Sequence, residues 1–419
     1  MGIARTGLCE AHAHLFQLGR SLSMLDLSSC GSRDEMLWAL SEHARGLAHD
    51  GWVLAHGARP DGWDDPTWPS RAEIDRACPG RGVVAWCFDY HAMVASTIAL
   101  GEAKITAHTV IESGVIEHDA SGEPSGLLLE HAALRMWNAV PEPSHEDRHR
   151  LIRDACLHLE ALGYRQVHDL KSQPWLGSVL DDLILSGEVS LSATLFPLMK
   201  HLRETAAEVS DWTSGQVALG GGKIFVDGTF NSRTALMLEP FADGHNDFPR
   251  GKSMMKPAQI DHMLMACRES AVALAAHAIG DGAVRAVLDA IERTGATHMG
   301  CRIEHAELID KADVPRFKEL GVIASLQPCH LLPDIEALAK AVPDRLDRVL
   351  PIAELIESGL TPGIDLIFGS DVPIVGADPH DSIQAAVHRR RKGMDPARAI
   401  APEQAIDEST AWACFEPRG

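Results

Sequence analysis

The sequence has 419 residues, of which 45% are hydrophobic and 23% charged, and its formal net charge is −21 at pH 7. This composition is typical of a soluble globular protein with the size of one large α/β barrel carrying insertions. The negative charge argues against nucleic acid or an anionic membrane as a partner. The sequence shows neither a long apolar run nor an apolar signal-peptide core, so we predict no transmembrane helix and no secretion.

The first strand is predicted over residues 7–14 and carries the motif Glu-Ala-His-Ala-His-Leu. A long mixed segment follows, residues 16–144, with strand-like runs at 51–57 and 82–88 that are separated by proline-containing loops. We interpret this segment as an inserted subdomain that lies over the mouth of a barrel. We expect the barrel and its insertion to form a single domain over residues 1–419.

Regular alternation of strands and helices begins after residue 144. The spacing of apolar residues predicts further strands at 164–169, 189–198, 217–227, 271–279, 301–306, 322–327 and 364–370. It predicts helices between them, at 145–162, 176–185, 282–294, 314–320 and 351–358. With the first strand this makes about eight strands alternating with helices, the pattern of an α/β protein with a (β/α)₈ TIM barrel.

The cysteines indicate a cellular compartment. There are nine of them, scattered and without a Cys-x-x-Cys pair. Such a set is typical of a reducing cytoplasm rather than of a disulfide framework, so we predict a cytoplasmic protein. Cys9, Cys87, Cys156 and Cys301 lie in apolar runs and are expected in the core.

The histidines of the first strand suggest a metal site. Side chains two apart on a strand point to the same face, so His12 and His14 can bind one metal ion through neutral imidazole nitrogens. Chance is an equally good explanation of this motif alone, because the chain has 22 histidines. Partners further along the chain are therefore needed to decide.

Those partners lie on or after later strands. In a TIM barrel the chemistry is at the carboxyl ends of the strands. Lys223, His277, His305 and Asp371 lie on or just after four of them. Singly, each has an ordinary structural interpretation: a hydrogen-bonded core histidine, a surface lysine or a helix cap. Together with His12 they indicate a metal centre at one mouth.

Several stretches extend this pattern over nearly the whole chain. They are Glu-Ala-His-Ala-His-Leu, Arg-Pro-Asp-Gly-Trp, Ser-Gly-Glu-Pro-Ser-Gly-Leu-Leu-Leu-Glu, Lys-Ile-Phe-Val-Asp-Gly-Thr, His-Ala-Ile-Gly-Asp, Arg-Ile-Glu-His-Ala-Glu, Gln-Pro-Cys-His and Phe-Gly-Ser-Asp-Val-Pro. In these motifs the chain resembles the amidohydrolase superfamily, and within it the amidohydrolase-3 branch of YtcJ-like proteins and N-substituted formamide deformylase.

The resemblance implies a metal-dependent hydrolase that cleaves an amide or related non-peptide C–N bond of a small molecule, of the N-acyl or N-formyl amine type, by metal-activated hydroxide. It implies zinc or another divalent transition metal, with two ions. The implied roles are one metal on His12 and His14, a second on His277 and His305, a carboxylated Lys223 bridging both, and Asp371 as metal contact and proton carrier.

The resemblance also implies substrate contacts for His91, Arg233 and His330. Each of the three has a structural alternative, which for Arg233 is a salt bridge that anchors its loop. These alternatives stay open at the level of sequence. We expect a small-molecule substrate and no nucleic acid or membrane partner.

The chain departs from the family pattern at several places. The β-sandwich that usually accompanies the barrel is not found, so barrel surface is left uncovered and a homo-oligomer is expected. Glu10 replaces an aspartate before the His-x-His motif, Tyr90 a glycine and Ser96 an asparagine. Two alternatives therefore remain. One is a catalytically silent barrel that acts as a binding or assembly module, and the other is a mononuclear hydrolase in which Lys223 is not carboxylated.

Overall fold

The structure is a computed structural model that describes residues 7–47, 51–87, 92–111 and 114–416. The chain forms two compact units. The first unit comprises Met1–Gly19 with Arg148–Gly419, and the second comprises Arg20–Asp147. Each unit has its own sheets and its own hydrophobic core.

The strands are numbered in chain order. They are β1 Leu8–Ala13, β2 Leu25–Asp26, β3 Val53–Ala58, β4 Val83–Cys87, β5 Ala92–Ala95, β6 Gly114–His118, β7 Pro124–Glu130, β8 Tyr164–Ser172, β9 Ser192–Pro197, β10 Val217–Leu219, β11 Gly221–Phe225, β12 Ala273–Ala278, β13 Arg302–His305, β14 Ile323–Leu326 and β15 Leu366–Phe368.

The α-helices are numbered in the same way. They are α1 Leu15–Ser23, α2 Arg33–Gly46, α3 Arg71–Ala77, α4 Thr97–Glu102, α5 His131–Trp137, α6 His145–Ala161, α7 Leu176–Leu185, α8 Leu202–Glu208, α9 Pro257–Glu269, α10 Asp281–Thr294, α11 Val314–Leu320, α12 Leu331–Ala341, α13 Ile352–Glu357, α14 Pro379–His388 and α15 Glu408–Ala413. Within the described ranges no helix is long and apolar enough to cross a membrane.

The first unit is built on two parallel sheets, with strand orders β1-β8-β9-β10 and β11-β12-β13-β14-β15. Its strands pair mostly in the order in which they occur along the chain, with helices between them. Single bridges also join the edges of the two sheets, Leu198 with Lys223 and Ala13 with Val372. The predicted α/β class with parallel sheets is confirmed.

One predicted strand is divided in the structure. Residues 217–227 were expected as a single strand, but β10 pairs with β9 in one sheet and β11 pairs with β12 in the other. Gly220 lies at the change of sheet. A Cβ atom there would come within 2.5 Å of the Phe196 ring and 2.6 Å of the Thr194 methyl group, so only glycine fits this close approach.

The second unit is built on one mixed sheet with the order β2-β3-β4-β5-β7-β6. β2, β3 and β4 are parallel, whereas β5, β6 and β7 pair antiparallel. Its two apolar clusters include Trp63 and Trp86. The placement of residues 16–144 over the mouth of the barrel stays a prediction.

All nine cysteines are free thiols, and all but the half-buried Cys30 are buried. The four that were predicted as core residues, Cys9, Cys87, Cys156 and Cys301, are among the buried ones.

Candidate metal centre

The six residues predicted as metal ligands are carried by one unit. They lie on or shortly after strands of the first unit: His12 and His14 at β1, Lys223 on β11, His277 on β12, His305 at the end of β13 and Asp371 after β15. Five of them are buried and His14 is half-buried. His12 and His14 belong to the first of the two sheets and the other strands to the second, and the bridge between Ala13 and Val372 joins the sheets beside His14 and Asp371.

The two histidines of β1 and Asp371 form a first cluster. The Nε2 atom of His14 lies 2.8 Å from Asp371 Oδ1, and that of His12 lies 3.4 Å from the same oxygen. Ligand atoms of all three residues lie within 4.8 Å of one another. Two imidazoles and a carboxylate at such spacing are a donor set that suits zinc and similar ions.

A second cluster includes His330, which sequence reasoning placed with the substrate. His305, His330 and Asp371 offer ligand atoms within 4.8 Å of one another. The ring of His305 also lies 4.5 Å from the His277 ring and 4.9 Å from the His12 ring, measured between centroids. Asp371 belongs to both clusters, so its carboxylate lies close to the histidines of β1 and to the pair of His305 and His330.

Several polar atoms of this centre have no hydrogen-bond partner among the described residues. They are Lys223 Nζ, His14 Nδ1 and His305 Nδ1. Buried polar atoms are nearly always paired, because an unpaired one loses its hydration without compensation. Three such atoms among side chains of ligand type fit a cation centre with additional bound groups.

Burial sets the protonation of the histidines. It lowers the pKa of His12 to about 4 and that of His277 to about 3. It also lowers the pKa of His305 well below its ordinary value. These imidazoles are therefore neutral near pH 7, which is the form that binds a metal.

Lys223 and Asp371 respond differently to the same environment. Burial lowers the pKa of the Lys223 amine to about 8. Burial alone would raise the pKa of Asp371, but His12 and His14 hold it well below its ordinary value. Asp371 is thus an anion and Lys223 is partly neutral at mildly alkaline pH.

His330 is held as a cation. Burial alone would lower its pKa, but the Glu307 carboxylate and Asp371 raise it to about 9. The imidazole Nδ1 lies 3.7 Å from Glu307 Oε1, and Nε2 lies 3.1 Å from the Ser370 carbonyl oxygen and 4.0 Å from Asp371 Oδ2.

Left-handed backbone occurs at two of the candidate ligands. The φ angle is +73° at His305 and +65° at Asp371. Non-glycine residues rarely adopt this region, and such strain is concentrated at functional sites. On a regular strand, neighbouring side chains point to opposite faces. The turn at His305 explains why both Glu304 and His305 approach His12.

Sequence reasoning did not single out four charged residues that support this centre: Asp227, Arg302, Glu304 and Glu307. Asp227 accepts hydrogen bonds from the backbone N–H groups of Leu236, Ile279 and Gly280, and so ties the loop after β11 to the end of β12. The alternation in Arg302-Ile303-Glu304 was a usable signal. It places two opposite charges on one face of β13.

The other predicted substrate residues are placed as follows. His91 lies outside the described residues. Arg233 donates two hydrogen bonds of 2.6 Å to the Asp243 carboxylate and one to the Phe230 carbonyl oxygen. This is the loop-anchoring geometry that was considered as its structural alternative, and its contact with substrate stays a prediction.

Two departures from the family pattern have local explanations. Glu10 accepts hydrogen bonds from the N–H groups of His12 and Ser370 and from the Ser370 hydroxyl, so it joins β1 to the chain before Asp371. Ser96 is the N-cap of α4, and its hydroxyl oxygen accepts from Ala99 N–H. Tyr90 lies outside the described residues.

Known proteins resemble this chain over nearly its whole length. A model of the amidohydrolase family matches residues 6–415. The chain is 29% identical over 405 residues to putative amidohydrolase YtcJ of Bacillus subtilis, covering 92% of this chain and 73% of that protein. It is 23% identical over 423 residues to N-substituted formamide deformylase of Arthrobacter pascens, covering 96% and 77%.

A solved structure with a similar fold is that of an uncharacterized metal-dependent hydrolase from Pyrococcus horikoshii. It superimposes with a TM-score of 0.80 at 25% sequence identity, covering 97% of this chain and 78% of that one.

Proposed function

Because this chain belongs to the amidohydrolase family, we propose that it is a metal-dependent hydrolase that cleaves an amide or related C–N bond of a small molecule. The resemblance inferred from the sequence motifs is confirmed by the family match. The observation that carries the proposal is the largely buried cluster of His12, His14 and Asp371, with polar atoms around it that lack hydrogen-bond partners.

In this proposal two divalent ions, zinc or a similar transition metal, are held by the chain's own side chains. His12 and His14 hold one, His277 and His305 hold the other, and Asp371 contacts the centre. Lys223 is carboxylated. Its neutral amine forms an N–C bond to carbon dioxide and releases a proton. The resulting carbamate shares one negative charge between two oxygens, and the buried amine from which it forms has no hydrogen-bond partner among the described residues.

The reaction needs a nucleophile and proton transfers. A bound divalent metal supplies a water molecule of lowered pKa and polarises a carbonyl group. Asp371 is anionic and buried beside both histidines of β1, so it accepts the proton of the attacking water and passes it to the leaving nitrogen. His330 is protonated and 4.0 Å from Asp371, so its positive charge helps to keep that carboxylate anionic, and its contact with the substrate stays a prediction.

The proposal includes a closed barrel for the first unit. Eight parallel strands, β1, β8, β9 and β11–β15, are joined within two sheets. The bridges Leu198–Lys223 and Ala13–Val372 support closure at both edges of the sheets. A closed barrel brings all strand ends to one mouth, where a substrate can reach every candidate ligand.

The substrate class follows from charge and from one relative. N-substituted formamide deformylase acts, by its name, on N-substituted formamides. The net charge of −21 disfavours polyanionic substrates. We therefore propose a small neutral N-formyl or N-acyl amine as the substrate.

Metal analysis followed by a substrate screen tests the proposal. Protein expressed with zinc in the medium should retain one to two equivalents, and a His14→Ala variant should lose at least part of it. His380→Ala is the matched control, since His380 is exposed and its ring contacts Asp378 and Trp412 rather than any candidate ligand.

The metal-loaded protein should then hydrolyse at least one N-formyl or N-acyl amine in a set of neutral, cationic and anionic compounds. Protein that contains no metal and gains no thermal stability from added zinc contradicts the hydrolase proposal. Protein that retains zinc, yet turns over no compound in the screen, favours a silent binding module instead.

A further inference from the structure

We propose that Glu304 and Arg302 are positioning residues for His12, joined in a hydrogen-bonded row that keeps the Nε2 atom of His12 free for a metal. The inference rests on the proposed function, in which His12 is a ligand. The row starts at His12 and continues through Glu304 and Arg302 to His168. All of these groups belong to the first unit.

The contact between Glu304 and His12 decides which ring nitrogen carries the proton. His12 Nδ1 lies 2.7 Å from Glu304 Oε2, and both residues are buried. A carboxylate at this distance requires a proton on Nδ1, because two lone pairs would otherwise face each other. Gln327 Nε2 lies 3.3 Å from the same nitrogen, but it has an alternative acceptor in the Ser325 carbonyl. Nε2, the ring nitrogen near Asp371, is therefore the unprotonated one and has a free lone pair.

Arg302 fixes the carboxylate in turn. Its Nε and Nη2 atoms donate to the two oxygens of Glu304. Nη2 also donates to the Ala11 carbonyl at 2.6 Å and to the Ser325 hydroxyl at 2.8 Å. The guanidinium thus joins three strands, β1, β13 and β14, and determines where the Glu304 oxygens lie.

Stability alone does not explain this row. A buried ion pair is often no more stabilising than apolar residues of equal volume, because both charges lose their hydration. Arg302 and His168 also border a cavity of about 360 Å³ with Cys9 and Phe196. Arg302 is therefore held by its hydrogen bonds more than by tight packing on that side. Charged side chains that lose their hydration on burial and pack loosely are expected where they orient another side chain, here His12.

The consequence is a defined metal-binding geometry at β1. A ligating histidine usually donates its other N–H to a carboxylate, and loss of that partner typically lowers metal affinity by about 10–100-fold. In Glu304→Gln the amide can donate to Nδ1 and move the histidine proton to Nε2. In Glu304→Asp the charge stays but the carboxylate withdraws from the ring.

The experiment compares zinc affinity and histidine tautomers in the full-length protein. Zinc affinity is measured by chelator competition for wild type, Glu304→Gln, Glu304→Asp and His12→Ala. We expect both Glu304 variants to bind zinc about 10–100-fold more weakly at the His12 site. In metal-free, ¹⁵N-histidine-labelled wild type, the His12 signal, identified by its loss in His12→Ala, should report a proton on Nδ1.

The control is Arg285→Met. Arg285 is partly exposed and pairs with the buried Asp313 outside the metal centre, so its loss removes an arginine–carboxylate pair without touching His12. Its zinc affinity should equal that of the wild type.

The outcomes separate this inference from the proposed function. If the wild type binds no zinc, the proposed function fails, while the tautomer of His12 still tests the row. If the wild type binds zinc and both Glu304 variants bind it equally well, the inference is overturned. Should Glu304→Gln fail to fold, Glu304→Asp and the wild-type tautomer decide. A wild-type His12 protonated on Nε2 also overturns it.

Discussion

The two units of the chain differ in how completely their buried polar side chains are hydrogen-bonded. Among the described residues of the second unit, Ser96 is the only buried polar or charged side chain. Its hydroxyl oxygen accepts from the N–H groups of Val83 and Ala99, and it donates to the Arg81 carbonyl. The group is fully satisfied and serves to join elements.

The first unit contains the other buried polar side chains, including a lysine, several histidines and several carboxylates. Some of them, such as Glu10 and Asp227, are satisfied by backbone N–H groups. The candidate ligands are not all satisfied, since Lys223 Nζ and His305 Nδ1 lack a hydrogen-bond partner within the described residues. Satisfied groups hold the fold, and unsatisfied ones mark where a ligand is expected. Four substitutions test this difference.

The largest effect is expected for Asp371→Asn. The amide keeps the shape of the side chain but cannot accept the proton, so turnover should fall by about 10²–10⁴-fold. The melting temperature should change little. Turnover of the best substrate from the screen is the measurement, and Asp407→Asn, an exposed helix cap, is the control. A near-normal rate in Asp371→Asn would assign proton transfer to another residue.

Lys223→Met tests the first unit through the free energy of unfolding. The pKa of Lys223 falls from 10.5 to about 8 in the fold. At pH 7 the buried ammonium therefore costs on the order of 3 kcal/mol, which methionine removes. The unfolded chain binds more protons between pH 8 and 10.5, so wild-type unfolding free energy should rise over that window, and the variant's advantage should shrink.

Urea unfolding of metal-free protein in carbon dioxide-free buffer measures this difference. Lys318→Met is the control, since Lys318 is exposed and paired with Asp365. Equal stability of wild type and Lys223→Met at pH 7 would contradict an uncompensated buried amine. With metal and carbon dioxide present, the same variant should lose most of its bound metal.

Ser96→Ala tests the second unit. The change removes the cap of α4 and leaves the Val83 N–H group without its acceptor, which should lower the unfolding free energy by about 1–2 kcal/mol. Turnover should stay at the wild-type level. Ser32→Ala removes an exposed cap, that of α2, and should cost less. A loss of turnover without loss of stability would give Ser96 a functional role.

The smallest effect is expected for Arg233→Ala. Its salt bridge to Asp243 includes a half-exposed carboxylate, so the loss should cost no more than about 1 kcal/mol. Hydrolysis of neutral amides should be unchanged. Arg250→Ala, which removes an exposed pair with Glu239, is the comparison. If anionic N-acyl amino acids are the best substrates and Arg233→Ala abolishes that preference, Arg233 binds the substrate carboxylate.

Local signals in the sequence determined the secondary structure well. The predicted bounds of α7 and α11 are those of the structure. The next residue, Gly321, caps α11 with a left-handed φ of +66°. Such ends depend on residues within one turn, so they can be read from the chain directly. The division at Gly220 could not, because the contacts that require glycine come from Phe196 and Thr194 on β9.

The sequence by itself also determined the candidate ligands, because a strand end is a local property and the carboxyl ends of parallel strands share one edge. Only the tertiary structure decided how those ligands are held. Glu304 reaches His12 across 292 positions of sequence. His305 joins the same cluster because its backbone leaves the strand conformation. His330 approaches Asp371 through the chain after β14. Distances and unpaired atoms of this kind arise from packing between remote segments, which no local pattern encodes.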